Sequence, residues 1–420
     1  MRPRPGDAGE NCLNLVVYVL RMDCVVLAAG EGKRMRPLTT KRPKVMLPLA
    51  NRPMMEHLVI AAREVGITNF IFVVGYGERE IRRYFGDGTV WGVTISYAPQ
   101  RQQMGTADAL KSVRDFVSDM FLALNGDMIV TSHDLAHLAR CSSPCMSISS
   151  TDHPSDYGVV TVKDGKVVSL EEKTKNPKSN LINAGAYLFD TGIFDLVDQV
   201  RPSSRGELEL TDALGVLLSE GKLSAYQLSS WMDVGHPWDM LDANTTLLSA
   251  IVSDDKGIVE NGVSISGSVI IGEGTIIKSG TYIEGNCIIG KDCRIGPHAY
   301  IRGSTSVGDN CHIGHCTELK NSIIMSGTKI PHFNYIGDSV IGSGCNFGAG
   351  TKVANLRHDH ANVKVCGSDT RRKKFGAIIG DNVQFGINCS INVGTVIGSN
   401  TSFAPGSYIE GCIGENSCIR

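Results

Sequence analysis

From residue 259 onward an aliphatic side chain returns at every sixth position: Val259, Ile265, Ile271, Ile277, Ile283, Ile289, Ile295, Ile301, Val307 and Ile313, usually followed by Gly. A second column four residues on holds Val263, Val269, Thr275, Thr281, Cys287, Cys293, Ala299, Thr305, Cys311 and Thr317, all small enough for a tight corner. The register slips by one near Ile330 and Ile341. It resumes after an insertion at Ile379, Phe385, Ile391, Ile397, Phe403 and Ile409. Repeats of this length stack as a parallel β-helix, each unit burying its apolar residue only against its neighbours. The 47 Gly and the 6% aromatic content fit many tight turns around small side chains.

The same columns bear on the 13 cysteines. Cys287, Cys293 and Cys311 stand where a small apolar residue is required, so packing explains them better than redox or metal chemistry. In Cys311-His312-Ile313-Gly314-His315-Cys316 the register points Cys311 inward and its neighbours outward, which does not assemble one tetrahedral centre. His358-Asp359-His360 reads as a solvated loop. An odd cysteine count without regular CxxC pairs, and with no export signal, indicates reduced thiols and a cytoplasmic setting.

The first half follows another rule. Between residues 23 and 250 short β-branched runs alternate with helical ones, with strands at Cys24 to Ala28, Phe70 to Val74, Val93 to Tyr97, Phe121 to Leu124 and Ala186 to Phe189. Helices are expected at Met54 to Val65, Thr106 to Val113, Leu208 to Ser219 and Trp238 to Ala250. This alternation implies a Rossmann-like, mainly parallel sheet with helices on both faces and ligands beyond the carboxyl ends of the strands. Three segments result: an N-terminal extension at 1–21, such as a misassigned start before Met22; an α/β domain at 22–250; and a β-helix at 251–420. No stretch approaches the roughly 20 apolar residues of a membrane span. A net charge of -2 gives no general attraction to nucleic acid or anionic lipid.

The loop after the first strand, Ala29-Gly30-Glu31-Gly32-Lys33-Arg34-Met35-Arg36-Pro37, brings backbone N–H groups and cations towards a phosphate. It lacks the third Gly of a dinucleotide fold and the Ser or Thr of a Walker loop. Together with Leu27 and Pro43-Lys44 it resembles the signature of the sugar-1-phosphate nucleotidyltransferases, whose remaining motifs follow in order. Gln100-x-x-Gln103-x-Gly105-Thr106 resembles the base-reading loop, and Leu27, Ala29, Gly30 and Gly32 belong to the same nucleotide set. Asn125-Gly126-Asp127 and Trp231-Met232-Asp233 resemble the metal positions. Gly158, Glu172, Lys173 and Asn183 resemble the sugar-phosphate contacts, with Tyr157 and Trp231 read as packing residues. Alone, Asp127 would pass for a turn aspartate and Asp233 for a helix cap.

The resemblance implies in-line attack of a sugar 1-phosphate on the α-phosphate of UTP or dTTP, with charge cancellation as the main device. Arg34 and Lys44 would offset the phosphates, and Asp127 and Asp233 would hold Mg²⁺.

In the second half the repeat resembles the hexapeptide transferases, which implies a left-handed helix with three hexapeptides per coil and a homotrimer. Pro331-His332-Phe333-Asn334-Tyr335, Asn346-Phe347-Gly348-Ala349-Gly350 and Asn355 resemble the acetyltransferase block of the bifunctional glucosamine-1-phosphate acetyltransferase and N-acetylglucosamine-1-phosphate uridyltransferase family. Arg302, Lys320 and Lys374 match its phosphate-binding positions. His332 would take a proton from the sugar ammonium so that the amine attacks acetyl-CoA. Tyr335 and Asn346 would hold the sugar phosphate, Asn355 would orient the reacting groups, Ala349 and Gly350 would bind acetyl-CoA, and backbone N–H groups near Ala349 would face the oxyanion. The insertion from Leu356 to Arg372 is longer than in bacterial members and resembles archaeal-type relatives, leaving glucosamine or galactosamine 1-phosphate open as acceptor. The competing expectation is a single-activity nucleotidyltransferase whose β-helix is structural.

Overall fold

The computed structural model describes residues 22–203 and 206–420; the N-terminal extension lies outside the described residues. The α/β half is built on a nine-stranded mixed sheet. Its centre is strand Asp23–Leu27, parallel to Asn69–Val74 on one side and to Phe121–Asn125 on the other, with Leu27 opposite Asn125. Helix Met54–Glu64 covers one face through Met55, Leu58, Val59 and Ala62, all within 1% of full burial. Helices Thr106–Lys111 and Leu210–Ser219 join the cluster on the opposite face. Strand Leu181–Phe189 runs antiparallel to Phe121–Asn125, which makes the sheet mixed.

The second half is a left-handed β-helix of three long parallel sheets, containing nine, nine and eight strands. Pairing such as Val269 with Cys287 and Ile276 with Arg294 runs at an offset of 18 residues, so one coil is three hexapeptides. The offset becomes 17 at Ile313 with Ile330, the slip seen in the sequence, and 38 at Phe347 with Phe385, where the insertion leaves the coil. Both columns point inward: Ile277, Ile283, Ile295, Ile301 and Ile313 have no exposed surface, and Thr275, Cys287 and Cys293 sit beside them. Val259 and Ile265 are the exceptions at 36% and 41% exposure, because the terminal coil has no neighbour to cover them.

The outward positions of the first sheet carry a feature the period does not announce. Ile288, Ile323, Val340 and Ile378 are buried although they point away from the β-helix core. They pack against Leu47, Leu49, Met54, Val234, Met240 and Leu241 of the α/β half in a shared apolar core, and against Ala50 and Leu248. Polar ties surround this seam. Asn244 accepts from the Ala50 N–H at 2.8 Å and donates to the Ser304 carbonyl at 2.9 Å, and Arg42 pairs with Asp381 at 2.6 Å.

The thiol reading needs one correction. Cys366, in the insertion, and Cys412, on the last coil, are joined by a disulfide across 46 residues. Both are exposed and neither fills a core slot, so the packing argument that holds for Cys293 does not reach them.

Candidate functional site

The carboxyl ends of the central strands open into a cavity of about 1400 Å³. It is lined by Leu27, Ala29, Gly30, Gly32, Arg34, Gln100, Gln103, Gly105, Thr106, Asp127, Gly158, Glu172, Lys173, Asn183 and Asp233, so one place receives every nucleotidyltransferase position singled out in the sequence except Lys44. Lys44 lies directly behind it. The side chain is 7% exposed as a residue, and Nζ donates to Asp127 Oδ2 at 2.6 Å. Gly32 makes this packing possible: at φ +72° it is left-handed, and a Cβ there would stand 2.6 Å from Lys44 Cβ.

Two short strands bring the carboxylates together. Met128–Val130 pairs antiparallel with Trp231–Asp233, setting Asp233 opposite Met128 and therefore beside Asp127. Burial and then the charge of Asp127 push the Asp233 carboxyl up to about 6. For Asp127 burial acts upward too, but the charge and hydrogen bond of Lys44, with Arg34 further off, outweigh it and hold the carboxyl below its usual range. Two hard carboxylate donors facing an open cavity fit a Mg²⁺ ion that completes its shell with phosphate oxygens and water. Among the described residues no cluster of three or more His, Cys, Asp or Glu has metal-holding geometry.

Other positions are held by contacts the motif does not reveal. The Gln100 amide is 8% exposed and is spent on the Gly105 carbonyl at 3.0 Å and Asp108 at 2.8 Å. Gln103 donates to the Ala29 carbonyl at 2.7 Å. Both therefore shape the loop walls. Asn183 is fixed by Tyr187 and by the Gly185 N–H, at 2.8 and 3.1 Å. Tyr157, read as packing, does pack edge-on against Trp231 at 5.7 Å. Burial, with the nearby Asp233 and Asp239 charges, pushes its hydroxyl up. Asp239 lines the cavity beside Asp233 and was not read from the sequence; its place on the helix after the Trp231 motif was the available signal.

The acetyltransferase positions divide between two faces of the β-helix. Arg302, Lys320 and Tyr335 lie on the third sheet, where Arg302 pairs with Lys320 and Lys320 with Gly337 across successive coils. Asp338, 3% exposed, gathers Lys320 Nζ at 3.0 Å, Asn321 at 2.7 Å and Asn355 at 2.5 Å, while Arg302 meets Glu318 at 3.2 Å. Asn346 is on the second sheet, opposite Lys329. His332 stands exposed at the corner between them, opposite His315. The next coil puts Ala349 and Gly350 there, and the Gly350 N–H is spent on the His332 carbonyl at 3.0 Å. Lys374 is exposed where the insertion rejoins the coil, bridged to Leu356.

A mixed sheet with paired carboxylates at its mouth, carrying a left-handed β-helix, defines a nucleotidyltransferase of the two-domain kind. Residues 23–250 match the nucleotidyl transferase family model, and residues 283–416 match the model of the GMPPB C-terminal domain. The Bifunctional protein GlmU of Methanococcus maripaludis strain C7 is 47% identical over 95% of this chain and 97% of its own length. The bifunctional sugar-1-phosphate nucleotidylyltransferase/acetyltransferase of Sulfurisphaera tokodaii is 38% identical over 95% of this chain and all of its own. A solved chain from Bacillus anthracis, described as a glucose-1-phosphate thymidylyltransferase, superposes with a TM-score of 0.51 at 30% identity, covering 56% of this chain and 98% of its own. The chain belongs to the bifunctional GlmU family. Among the described residues no helix is long and apolar enough to cross a membrane.

Proposed function

We propose that the chain makes a nucleotide-activated N-acetylhexosamine in two steps. The β-helix moves the acetyl group of acetyl-CoA to the amine of glucosamine 1-phosphate or galactosamine 1-phosphate. The α/β domain then joins the N-acetylated sugar phosphate to UTP, or dTTP, and releases pyrophosphate. The observation that carries the reading is the buried Lys44–Asp127 pair beside Asp233 at the mouth of the cavity.

In the second step Lys44 and Arg34 offset the negative charge of two anionic reactants, and Gly158, Glu172, Lys173 and Asn183 align the sugar phosphate. Asp127 and Asp233 would hold Mg²⁺, which when bound would supply charge neutralisation at the phosphates. In the first step His332 accepts a proton from the sugar ammonium, the freed amine attacks the thioester carbonyl, and the C–S bond breaks as the second amine proton passes to the departing coenzyme thiolate, leaving the neutral amide. Arg302, Lys320 and Lys374 receive the phosphate, while Tyr335, Asn346 and Asn355 orient the sugar. Ala349 donates to the carbonyl oxygen, and Gly350 shapes the coenzyme site.

The separation of Asn346 from Arg302, Lys320 and Tyr335 on different faces supports a homotrimer in which adjacent helices complete each site. The exposed Phe333 and Ile387 on the same corner, at 54% and 52%, add apolar surface for that contact. We place the enzyme in the cytoplasm. Incubating purified protein and Mg²⁺ with a panel of nucleoside triphosphates and sugar phosphates tests the reading. Pyrophosphate release with UTP or dTTP and an N-acetylhexosamine 1-phosphate supports it, and release only with a hexose 1-phosphate contradicts it.

A further inference from the structure

The insertion that interrupts the β-helix does not stay with it. After Leu356 the chain forms a hairpin, Lys364–Val365 against Ser368–Asp369. Val363, Val365 and Phe375 are buried in the core shared with the α/β half, Phe375 meets Trp238 edge-on at 6.4 Å, and Cys366 is tied to Cys412. So anchored, Ser368 to Arg372 form part of the wall of the nucleotidyltransferase cavity. Arg371 pairs with Asp156 at 2.9 Å and Arg372 with Asp242 at 2.6 Å.

The charges give this wall a purpose. On that side the α/β domain contributes Asp156, Asp239 and Asp242 to the lining, next to Asp233. Alone, such a rim repels a phosphate dianion. The hairpin brings two guanidiniums to it. Arg371 and Asp156 are each about half exposed, 50% and 51% in their side chains, so their pair is weakly held and a phosphate can replace the carboxylate. Arg372 is the more fixed of the two, 19% exposed, with its Nε buried and making no hydrogen bond.

We propose that the β-helix insertion completes the sugar-phosphate end of the nucleotidyltransferase site, with Arg371 as a specificity-determining contact for the phosphate monoester of a hexose. This rests on the nucleotidyl-transfer reading and extends it: the second domain contributes directly to the first domain's substrate selection. Calorimetric titration of the full chain with N-acetylglucosamine 1-phosphate, alongside steady-state kinetics, tests the idea. Arg371→Ala should weaken binding and raise KM for the sugar phosphate about tenfold, the low end for a charge-assisted hydrogen bond at a half-exposed position. KM for the nucleoside triphosphate and acetyl transfer should stay within about twofold, inside the scatter of a surface substitution. Asp156→Asn breaks the same ion pair yet keeps the guanidinium, so it should not weaken binding. Unchanged binding in Arg371→Ala overturns the proposal, as does parallel weakening in Asp156→Asn, which would mean that the pair only holds the hairpin. Absence of pyrophosphate release by the wild type would sink the functional reading, whereas a lost binding increment in Arg371→Ala would still establish the phosphate contact.

Discussion

Replacing Lys44 by Met keeps the stem and removes the cation from the centre of the nucleotidyltransferase site. Lys44 is 7% exposed and its Nζ lies 2.6 Å from Asp127 Oδ2. Removing one partner of a buried ion pair costs about 3–5 kcal/mol. The Asp127 side chain is 33% exposed, so water screens part of the stranded charge. The expected loss is therefore lower, about 1–3 kcal/mol. A second effect adds to this one, because Asp233 is already pushed up by burial and by Asp127, and Lys44 opposes that push. Without Lys44 the two carboxylates compete harder for a proton. Adding Asp127→Asn to Lys44→Met should restore part of the lost stability, since it deletes the uncompensated charge. Urea unfolding of the wild type, both single variants and the double variant gives the coupling energy directly. Pyrophosphate release should fall about 10²–10³-fold in Lys44→Met, the scale of one preorganised electrostatic contact. A Lys44→Met variant with wild-type midpoint and wild-type turnover would refute the reasoning.

Asp127→Asn or Asp233→Asn should abolish Mg²⁺-dependent pyrophosphate release and leave acetyl transfer nearly intact; equal loss of both activities would contradict two separate sites. Because the Asp233 carboxyl is raised to about 6, protons should compete with the metal as pH falls through that value. The Mg²⁺ concentration for half-maximal nucleotidyl transfer should thus be higher at pH 5.5 than at pH 7.5, a shift that Asp127→Asn should reduce in direct metal-binding measurements. Gly32→Ala places a Cβ 2.6 Å from Lys44 Cβ in a left-handed backbone, and should cost about 1–3 kcal/mol of stability together with nucleotidyl transfer; a neutral result by thermal unfolding would mean the loop relaxes freely. Ile301→Ala empties a fully buried slot of the β-helix stack and should cost about 2–5 kcal/mol, read as an earlier melt of the second domain.

Local pattern carried much of this structure. Strand Asn69–Val74 and helix Met54–Glu64 fall within a residue of where β-branched runs and helical spacing put them, because each is defined by burial against its immediate neighbours. Ile277, Ile295 and Cys293 face the β-helix core for the same reason. Ile323, Val340 and Ile378 do not follow from that logic, since their partner is the other domain and no local period encodes a docking face. The amides of Gln100 and Gln103 match a base-reading motif by identity, but their hydrogen bonds go to Asp108 and to the Gly105 and Ala29 carbonyls, a geometry set by the folded loop. Arg371 and Cys366 lie in an insertion without repeat or motif. Only the folded chain carries them from the β-helix to the nucleotide cavity and to the last coil.

Whether both domains act on one product line is decided most directly at His332. Wild-type protein supplied with acetyl-CoA, glucosamine 1-phosphate, UTP and Mg²⁺ should form UDP-N-acetylglucosamine, as followed by chromatography and mass. His332→Ala should slow acetyl transfer about 10²–10⁴-fold, the contribution of a positioned base. Supplying N-acetylglucosamine 1-phosphate should restore full nucleotide-sugar formation in the variant. A His332→Ala enzyme that acetylates as fast as wild type, or a wild type that acetylates no hexosamine 1-phosphate, would contradict the account.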